Sequence, residues 1–457
     1  MRRYLVFVSA ALGLLMYSID ATAVAVAFPN FIKEFHAPVM WAAWTISIYY
    51  IAMTMSMPLA GNLSDSFGRK RIFLASLALF TGSSLLCGLA PNIYALIGFR
   101  FLQGIGGAAF LPTASGIVSE HFPENRERMI GLFTSIFPIG GIIGPNLGGW
   151  IVSTFSWRYI FYINLPIGLV LIGMILMLLH SSKIVSRPHA DLAGVFSMSG
   201  GILFLMFGLN LMGESFGGRP LLFPCLFLAM SLASLSLFFR HEKRVTNPIM
   251  DLTLLKSTPF LAANTLNLVI GAGVFGVFAF VPYYATSVHR LSTLASGVIL
   301  TPRSLGTIPA SATCAFLLKR VGYRRPIVGG LVLTACALFL LAPGHLWSIM
   351  GGYFSPAAIL SFLILLSGIG LGVALPAANN ACIELMPQKV GTIVGLRGMF
   401  RTVGGAVGVS LLTFILHVSG DPGKGFRLVF TLSAIAIFCA IPLVFLMPAG
   451  RKGWSGE

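Results

Sequence analysis

Between two apolar runs stands Gly61-Asn-Leu-Ser-Asp65-Ser-Phe-Gly68-Arg69-Lys70-Arg71. Its glycines permit a tight reversal, because glycine reaches backbone angles that other residues avoid. Residues 40–61 before it and 72–91 after it are apolar, and each is long enough to cross a bilayer as a helix of about 20 residues. Asp65 and Arg69 are four apart and can pair if the segment is helical.

Outward from this hairpin the pattern repeats. Apolar runs fall at about 5–28, 40–61, 72–91, 94–118, 129–153, 159–180, 191–212, 220–239, 258–284, 293–318, 326–343, 355–382, 391–417 and 426–447, fourteen in all. The chain has 457 residues, 56% hydrophobic and 9% charged. A soluble globular domain carries about 25% charged residues, so lipid must cover this surface. The first run exceeds the roughly 7–15 apolar residues of a cleaved signal peptide and reads as the first span. The expected fold is an all-α membrane protein with little room for a soluble domain.

The net charge of +17 invites a nucleic-acid partner, but its distribution points elsewhere. Arg2-Arg3, Arg69-Lys70-Arg71, Arg126 and Arg128, Lys183 and Arg187, Arg240 with Lys243-Arg244 and Lys256, Lys319-Arg320 with Arg324-Arg325, Lys389 and Arg451-Lys452 occupy alternate loops. The intervening loops hold only Lys33, Arg158, Arg219, Arg290, Lys424 and Arg427. Basic residues favour cytoplasmic loops, so both termini are expected in the cytoplasm, with the chain in the cell (inner or plasma) membrane and no nucleic acid required. The six cysteines lie in apolar runs without a CxxC pair and read as small reduced core residues, not disulfides or metal ligands.

The opening stretch resembles the signature loop of the major facilitator superfamily, G-x-L-(A/S)-D-x-x-G-R-(K/R). That resemblance implies a conformational latch formed by Gly61, Asp65, Gly68 and Arg69, in which the aspartate sits near a helix N-terminus of the other half of the molecule. A helix N-terminus attracts a carboxylate. Leu96-x-x-x-Arg100-x-x-Gln103-Gly104-x-Gly106-Gly107 resembles the superfamily's second motif, whose arginine is linked to proton movement. Gly140, Gly144-Pro145 and Gly148-Gly149 resemble the antiporter motif found chiefly in exporters. Residues 140, 144 and 148 share one helix face, which lets a neighbour approach closely, and Pro145 is expected to bend the helix.

Ser156-Trp157-Arg158-Tyr-Ile-Phe161-Tyr-Ile-Asn164-Leu-Pro166 resembles a loop signature of the fourteen-span drug:proton antiporters, with Trp157 suited to the membrane interface. Asp20-Ala-Thr22-Ala-Val24-Ala25-Val-Ala27-Phe28-Pro29 resembles D-x-T-x-V-N-V-A-L-P, with Ala25 replacing the usual Asn. The second half echoes the first: Lys319-Arg320-Val-Gly322-Tyr-Arg324-Arg325 mirrors the opening loop, and Gly404-Gly405 with Gly408 mirrors the glycine stripe. The resemblance implies two six-helix bundles, 1–180 and 258–457 with its short tail, plus an inserted pair and linker over 181–257. Such halves bind substrate near the membrane midplane.

Asp20 is the only carboxylate deep in any run, and Arg100 lies at a similar depth. Ionisable residues inside a membrane are costly and usually functional. The expectation is that Asp20 takes a proton from outside and releases it inside, with Arg100 tuning how tightly it is held; a structural ion pair, or a carboxylate that only holds substrate, is the alternative. Arg303, Arg397, Arg401, Asn267 and Asn379 are candidates to line a substrate cavity. Bonds to helix-end carbonyls, snorkelling and interhelical hydrogen bonding are the structural alternatives. Arg303 and Arg401 match positions usual in the family; Arg397 does not. One interior acid against four arginines is unusual for an exporter of cations.

The first functional expectation is a proton-coupled exporter of lipophilic or drug-like molecules, monomeric, with lipid, protons and a small molecule as partners and no cofactor or metal. A second is an exporter or flippase of an amphipathic anion such as a lipid or fatty acid. A third is a membrane sensor or scaffold, which would ordinarily add a signalling domain. No G-x-x-x-x-G-K-(S/T) loop is present for an ATP-driven pump, and the scattered histidines suggest no enzyme chemistry.

Overall fold

The structure is a computed structural model, and it describes residues 2–125, 129, 132–133, 136–179, 191–215, 221–245, 257–342, 353–385 and 390–449. No strand occurs among the described residues. The helices are α1 Arg2–Phe35, α2 Val39–Phe67, α3 Arg69–Gly88, α4 Ile93–Ala108, α5 Phe110–His121, α6 Ile136–Thr154, α7 Arg158–Tyr162, α8 Asn164–Leu178, α9 Leu192–Ser215 and α10 Leu222–Glu242. They continue with α11 Thr258–Ile270, α12 Val281–Ser287, α13 Thr293–Val298, α14 Thr301–Val321, α15 Arg324–Leu341, α16 Pro356–Ile383, α17 Val390–Ser419 and α18 Pro422–Ala440.

Among the described residues, eleven helical stretches are long and apolar enough to cross a membrane. Three more helices, α2, α9 and α14, have 29, 24 and 21 residues. At 1.5 Å per residue the shortest measures about 31 Å, close to the hydrocarbon thickness of a bilayer. Each of these stretches and helices overlaps one of the apolar runs read from the sequence, and eleven of them meet the length and hydropathy expected of a span. The chain is therefore a multi-pass helical membrane protein.

Local chemistry sets many helix starts. Asn92, Ser292, Ser355 and Asp421 each accept a hydrogen bond from the backbone N–H three residues on, which satisfies an otherwise free donor. Proline stands in the first turn of α11, α12, α14, α16 and α18, where its missing N–H costs nothing. The run expected over 258–284 is not one regular helix. A π-helical segment, Gly271–Gly276, separates α11 from α12.

By its internal contacts the chain divides into two compact units, Met1–Gly208 with Cys225–Ile249, and Leu209–Pro224 with Met250–Glu457. The stretch expected to form an inserted pair is thus shared between them. Within the first unit Ser231 Oγ and Ser234 Oγ donate to the carbonyls of Gly201 and Ser197, both at 2.7 Å. Trp44 of α2 lies 4.3 Å, centroid to centroid, from Phe207 of α9. Helix α10 is apolar, yet only 17% of its span is buried, as suits a helix facing lipid.

Each unit reverses at a glycine with positive φ. Gly68 (φ 94°) separates α2 from α3, and Gly322 (φ 75°) separates α14 from α15. The basic residue two positions later then caps the end of another helical segment, α8 in the first unit and the 3-10 turn Ile441–Leu446 after α18 in the second. Lys70 Nζ donates to the carbonyls of Leu176, at 3.0 Å, and Leu179. Arg324 donates to the Met447 carbonyl at 2.9 and 3.1 Å. The break at Gly68 also puts Asp65 and Arg69 on different helices, so the helical spacing that would pair them does not hold.

All six cysteines are free, but Cys225, Cys336 and Cys439 are exposed, so only Cys87, Cys314 and Cys382 fit the core reading. An apolar run in a membrane protein has a lipid-facing side as well as a core side, and sequence does not separate them.

Candidate functional site

The first unit buries one ion pair completely. Asp20 on α1 is 1% exposed and Arg100 on α4 is 2% exposed. Arg100 Nη1 donates to Asp20 Oδ2 at 2.8 Å and to Gln103 Oε1 at 2.6 Å. Asp20 Oδ1 accepts from Gln103 Nε2 and from Asn164 Nδ2, both at 2.9 Å. Ser84 Oγ on α3 accepts from Gln103 Nε2 at 2.7 Å and from Asn164 Nδ2 at 3.3 Å. Arg100 Nε donates to the Thr45 carbonyl of α2 at 3.2 Å, and its guanidinium carbon stands 3.9 Å from the centroid of the Tyr49 ring. Helices α1, α2, α3, α4 and α8 thus converge on one carboxylate.

Why the chain folds this way here is legible locally. Gly104 and Gly106 bring α4 against its neighbours: a Cβ on Gly104 would stand 2.8 Å from the Tyr49 carbonyl, and one on Gly106 would stand 2.7 Å from the Phe80 amide. Their absence of side chains sets Arg100 and Gln103 at hydrogen-bonding depth. Asn164 begins α8 directly after the Trp157 clamp, in which Trp157 Nε1 donates to Glu34 Oε2 at 2.5 Å and Arg158 pairs with Glu34. Trp157 is 2% exposed. It is held under α1 by Glu34 and by an edge-on contact with Phe31 at 4.9 Å.

Sequence reasoning paired Asp20 with Arg100 and left out Asn164, Ser84, Thr45 and Tyr49. Gln103 and Asn164 both stood within quoted motifs. A neutral amide spaced one turn from an intramembrane arginine was the available signal for Gln103. Nothing local singled out Ser84 among the many serines.

The glycine stripe packs α6 on α1. A Cβ on Gly140 would collide with Ser18, one on Gly144 would collide with the Thr22 hydroxyl and stand 2.8 Å from the Ile19 carbonyl, and one on Gly148 would stand 3.0 Å from Ala23 Cβ. Pro145 and Gly149 are buried in the same helix. In the second unit α17 meets the π segment in the same manner, with a Cβ on Gly408 only 2.6 Å from Ala272 Cα.

Of the expected latch, Gly68 forms the reversal and Arg69 Nη1 binds Glu120 Oε1 at 2.9 Å and the Gly116 carbonyl at 2.5 Å. Gly61 and Asp65 belong to α2, but the Asp65 side chain and the surroundings of Gly61 lie outside the described residues. In the second unit Arg397 Nε donates to Asn379 Oδ1 at 3.0 Å and its Nη2 to Asn267 Oδ1 at 3.2 Å, so three of the candidate cavity residues meet. The other two share a ring. Arg303 and Arg401 each stand 5.1 Å from the Phe275 centroid, and Arg303 lies 4.3 Å from Phe278. Among the described residues no cluster of three or more His, Cys, Asp or Glu side chains is placed to hold a metal.

The sequence profile of the Major Facilitator Superfamily matches residues 10–409 and, in a second match, 264–455. The multidrug transporter protein MdtP of Bacillus subtilis (strain 168) is 29% identical over 418 residues, covering 91% of this chain and 76% of that protein. The multidrug resistance protein Stp of Mycobacterium tuberculosis (strain CDC 1551 / Oshkosh) is 31% identical over 415 residues, covering 90% and 75%. The lincomycin resistance protein of Streptomyces lincolnensis is 28% identical over 459 residues, covering 98% and 92%. Among solved structures, the human organic anion transporter MFSD10 (TETRAN) shares the fold, with a TM-score of 0.63 at 15% identity over 97% of this chain and 99% of that one. With its signature reversal at Gly68, its glycine stripe and the profile match, this chain belongs to the Major Facilitator Superfamily of membrane transporters.

Proposed function

We propose that the protein is a proton-coupled exporter of lipophilic or drug-like small molecules, a fourteen-span antiporter of the cell membrane with both termini in the cytoplasm. The names of the relatives support drug export. The observation that carries proton coupling is the enclosure of Asp20, whose two oxygens are met by Arg100, Gln103 and Asn164 at 2.8–2.9 Å with no solvent contact.

The geometry suggests a cycle. In the enclosed state Asp20 is out of reach of water and its negative charge is matched by Arg100. A proton can arrive only when α1 and α4 part enough to admit water. Protonation then removes the carboxylate charge, and the ion pair becomes a weaker hydrogen bond from the guanidinium to a neutral carboxyl group. The Arg100 guanidinium keeps Thr45 and Gln103 as partners, so it remains held while Asp20 is free to shift with α1. Loss of the proton on the other side restores the pair and closes the site. The glycine stripe gives α6 a close, side-chain-free seam with α1, the helix that carries Asp20.

The test is flux into liposomes holding a trapped pH dye, driven by gradients of a lipophilic cation, a lipophilic anion and a neutral drug. Coupled proton flux in wild type that disappears in Asp20→Asn is the expected result. Full coupled flux in Asp20→Asn would remove Asp20 as carrier, and no flux with any compound in wild type would turn attention to a lipid flippase or sensor.

A further inference from the structure

Two arginines of this chain are buried inside spans in opposite electrostatic company. Arg100 has the Asp20 carboxylate at 2.8 Å. Arg397, 3% exposed, has no carboxylate within ion-pair distance among the described residues. Its Nε and Nη2 donate to the amide oxygens of Asn379 and Asn267, the Asn267 amide donates back to the Arg397 carbonyl at 3.4 Å, and the Cys382 thiol lies against the guanidinium. Nη1 is buried without a hydrogen-bond partner among the described residues.

An uncompensated buried charge costs several kcal/mol, and an unmet buried donor adds to it. Amide oxygens offset part of this as dipoles, but they bring no counter-charge. Arg397 lies seven residues into α17, about 10 Å along the helix from its start, and it opens the apolar stretch Arg397–Ser419. The cluster is not sealed, because Asn379 is exposed. A polar amide on an open face within a span faces water more readily than lipid, since lipid offers it nothing to bond. The guanidinium therefore has a charge unmatched, its Nη1 amino group without a partner and a polar edge that opens outward.

We propose that Arg397, flanked by Asn267 and Asn379, receives the carboxylate of an amphipathic acid, with Nη1 as the donor that the protein leaves for it. A planar guanidinium suits a carboxylate better than a point charge does. Asn267 and Asn379 fix the guanidinium plane from α11 and α16, and so fix the direction of the Nη1 donors. The identity of the occupant as cargo rests on the exporter reading above. The carboxylate could come from a drug-like aromatic acid or from a fatty acid, which share this chemistry.

The experiment measures binding in lipid nanodiscs with no gradient, using 11-(dansylamino)undecanoic acid, 2-naphthylacetic acid and the methyl ester of each. Wild type should bind at least one acid roughly 10- to 100-fold more tightly than its ester, the worth of one or two hydrogen bonds to a charged group. The acid that shows the preference tells lipid-like from drug-like cargo. Arg397→Gln should abolish the preference and leave ester binding within about twofold. Asn379→Asp supplies a built-in carboxylate beside Arg397 without removing the arginine, and it should abolish the preference in the same way. Where Arg397→Gln fails to fold, Asn379→Asp decides. Equal binding of acid and ester by wild type, or an acid preference that survives Asn379→Asp, overturns the proposal. Because no proton gradient is present, either result leaves the liposome flux test of Asp20 to stand or fall separately.

Discussion

Arg100 Nη1 meets Asp20 Oδ2 at 2.8 Å with side chains 2% and 0% exposed, across a sequence separation of 80 residues. Removing one partner of such a pair strands the other, at a cost of about 3–5 kcal/mol. Asp20→Asn and Arg100→Gln should each lower thermal stability by about that amount. The double variant should lose much less than the sum, because residues in one hydrogen-bonded network couple. Unfolding of all three in nanodiscs checks this, and additive losses would mean that the two side chains do not depend on each other.

That pair was the most readable part of the site. A lone aspartate and an arginine at matched depths inside apolar runs announce themselves, because charge inside lipid is rare. The amides around them do not. Asn164 reads as the start of a helix and Gln103 as one polar residue in a glycine-rich motif; only the convergence of five helices makes them ligands of Asp20. The fold was legible for the same reason as the pair, since apolar runs, basic loops and Gly68 with its repeat at Gly322 impose a helical hairpin order. The π segment at Gly271–Gly276 was not, because the residues packed against it, Gly404 and Gly408, lie more than a hundred residues away. The exposed cysteines escaped as well, for apolar runs look alike on both faces.

Tyr49 separates two contributions to the site. Its ring lies 3.9 Å under the Arg100 guanidinium, while its hydroxyl is buried without a hydrogen-bond partner among the described residues. A buried hydroxyl left unmet costs about 1–3 kcal/mol. Tyr49→Phe keeps the ring and should raise the unfolding temperature or leave it unchanged. Tyr49→Ala removes the ring as well and should cost about 3–5 kcal/mol. A stability loss in Tyr49→Phe would show that the hydroxyl is bonded after all.

The seam between α6 and α1 makes a graded prediction. Alanine at Gly144 would press on the Thr22 hydroxyl and on backbone at 2.8 Å, and alanine at Gly148 would meet Ala23 at 3.0–3.1 Å. Alanine at Gly98 of α4 meets nothing within 4 Å. Overpacking costs about 1–3 kcal/mol, whereas Gly→Ala in an open helical site gains up to about 1 kcal/mol. Stability should therefore fall most in Gly144→Ala, less in Gly148→Ala, and hold or rise in Gly98→Ala. Coupled flux should follow the first two downward if α1 must move against α6, and a Gly144→Ala protein with wild-type stability and flux would rule out a tight seam.

Just before α9, ahead of the apolar stretch Phe196–Leu209, Asp191 Oδ1 lies 2.7 Å from His241 Nε2 of α10 and accepts from the Gly194 amide at 2.9 Å. Burial works against the Asp191 charge, but the Gly194 amide, the His241 ring and Glu242 outweigh it and hold the carboxyl below its usual range. A group whose pKa is depressed on folding stabilises the folded state above its unfolded value, and that contribution disappears as pH falls through the folded one. Asp191→Asn keeps an oxygen to cap α9 but cannot ionise. Wild type should therefore exceed Asp191→Asn in stability just above about pH 4, the ordinary carboxylate value, and the margin should shrink steadily below it. Amide exchange at the start of α9, followed from neutral pH downward, reads this locally. A margin that stays flat through the acid range would mean that the Asp191 charge does not hold the start of α9 to α10.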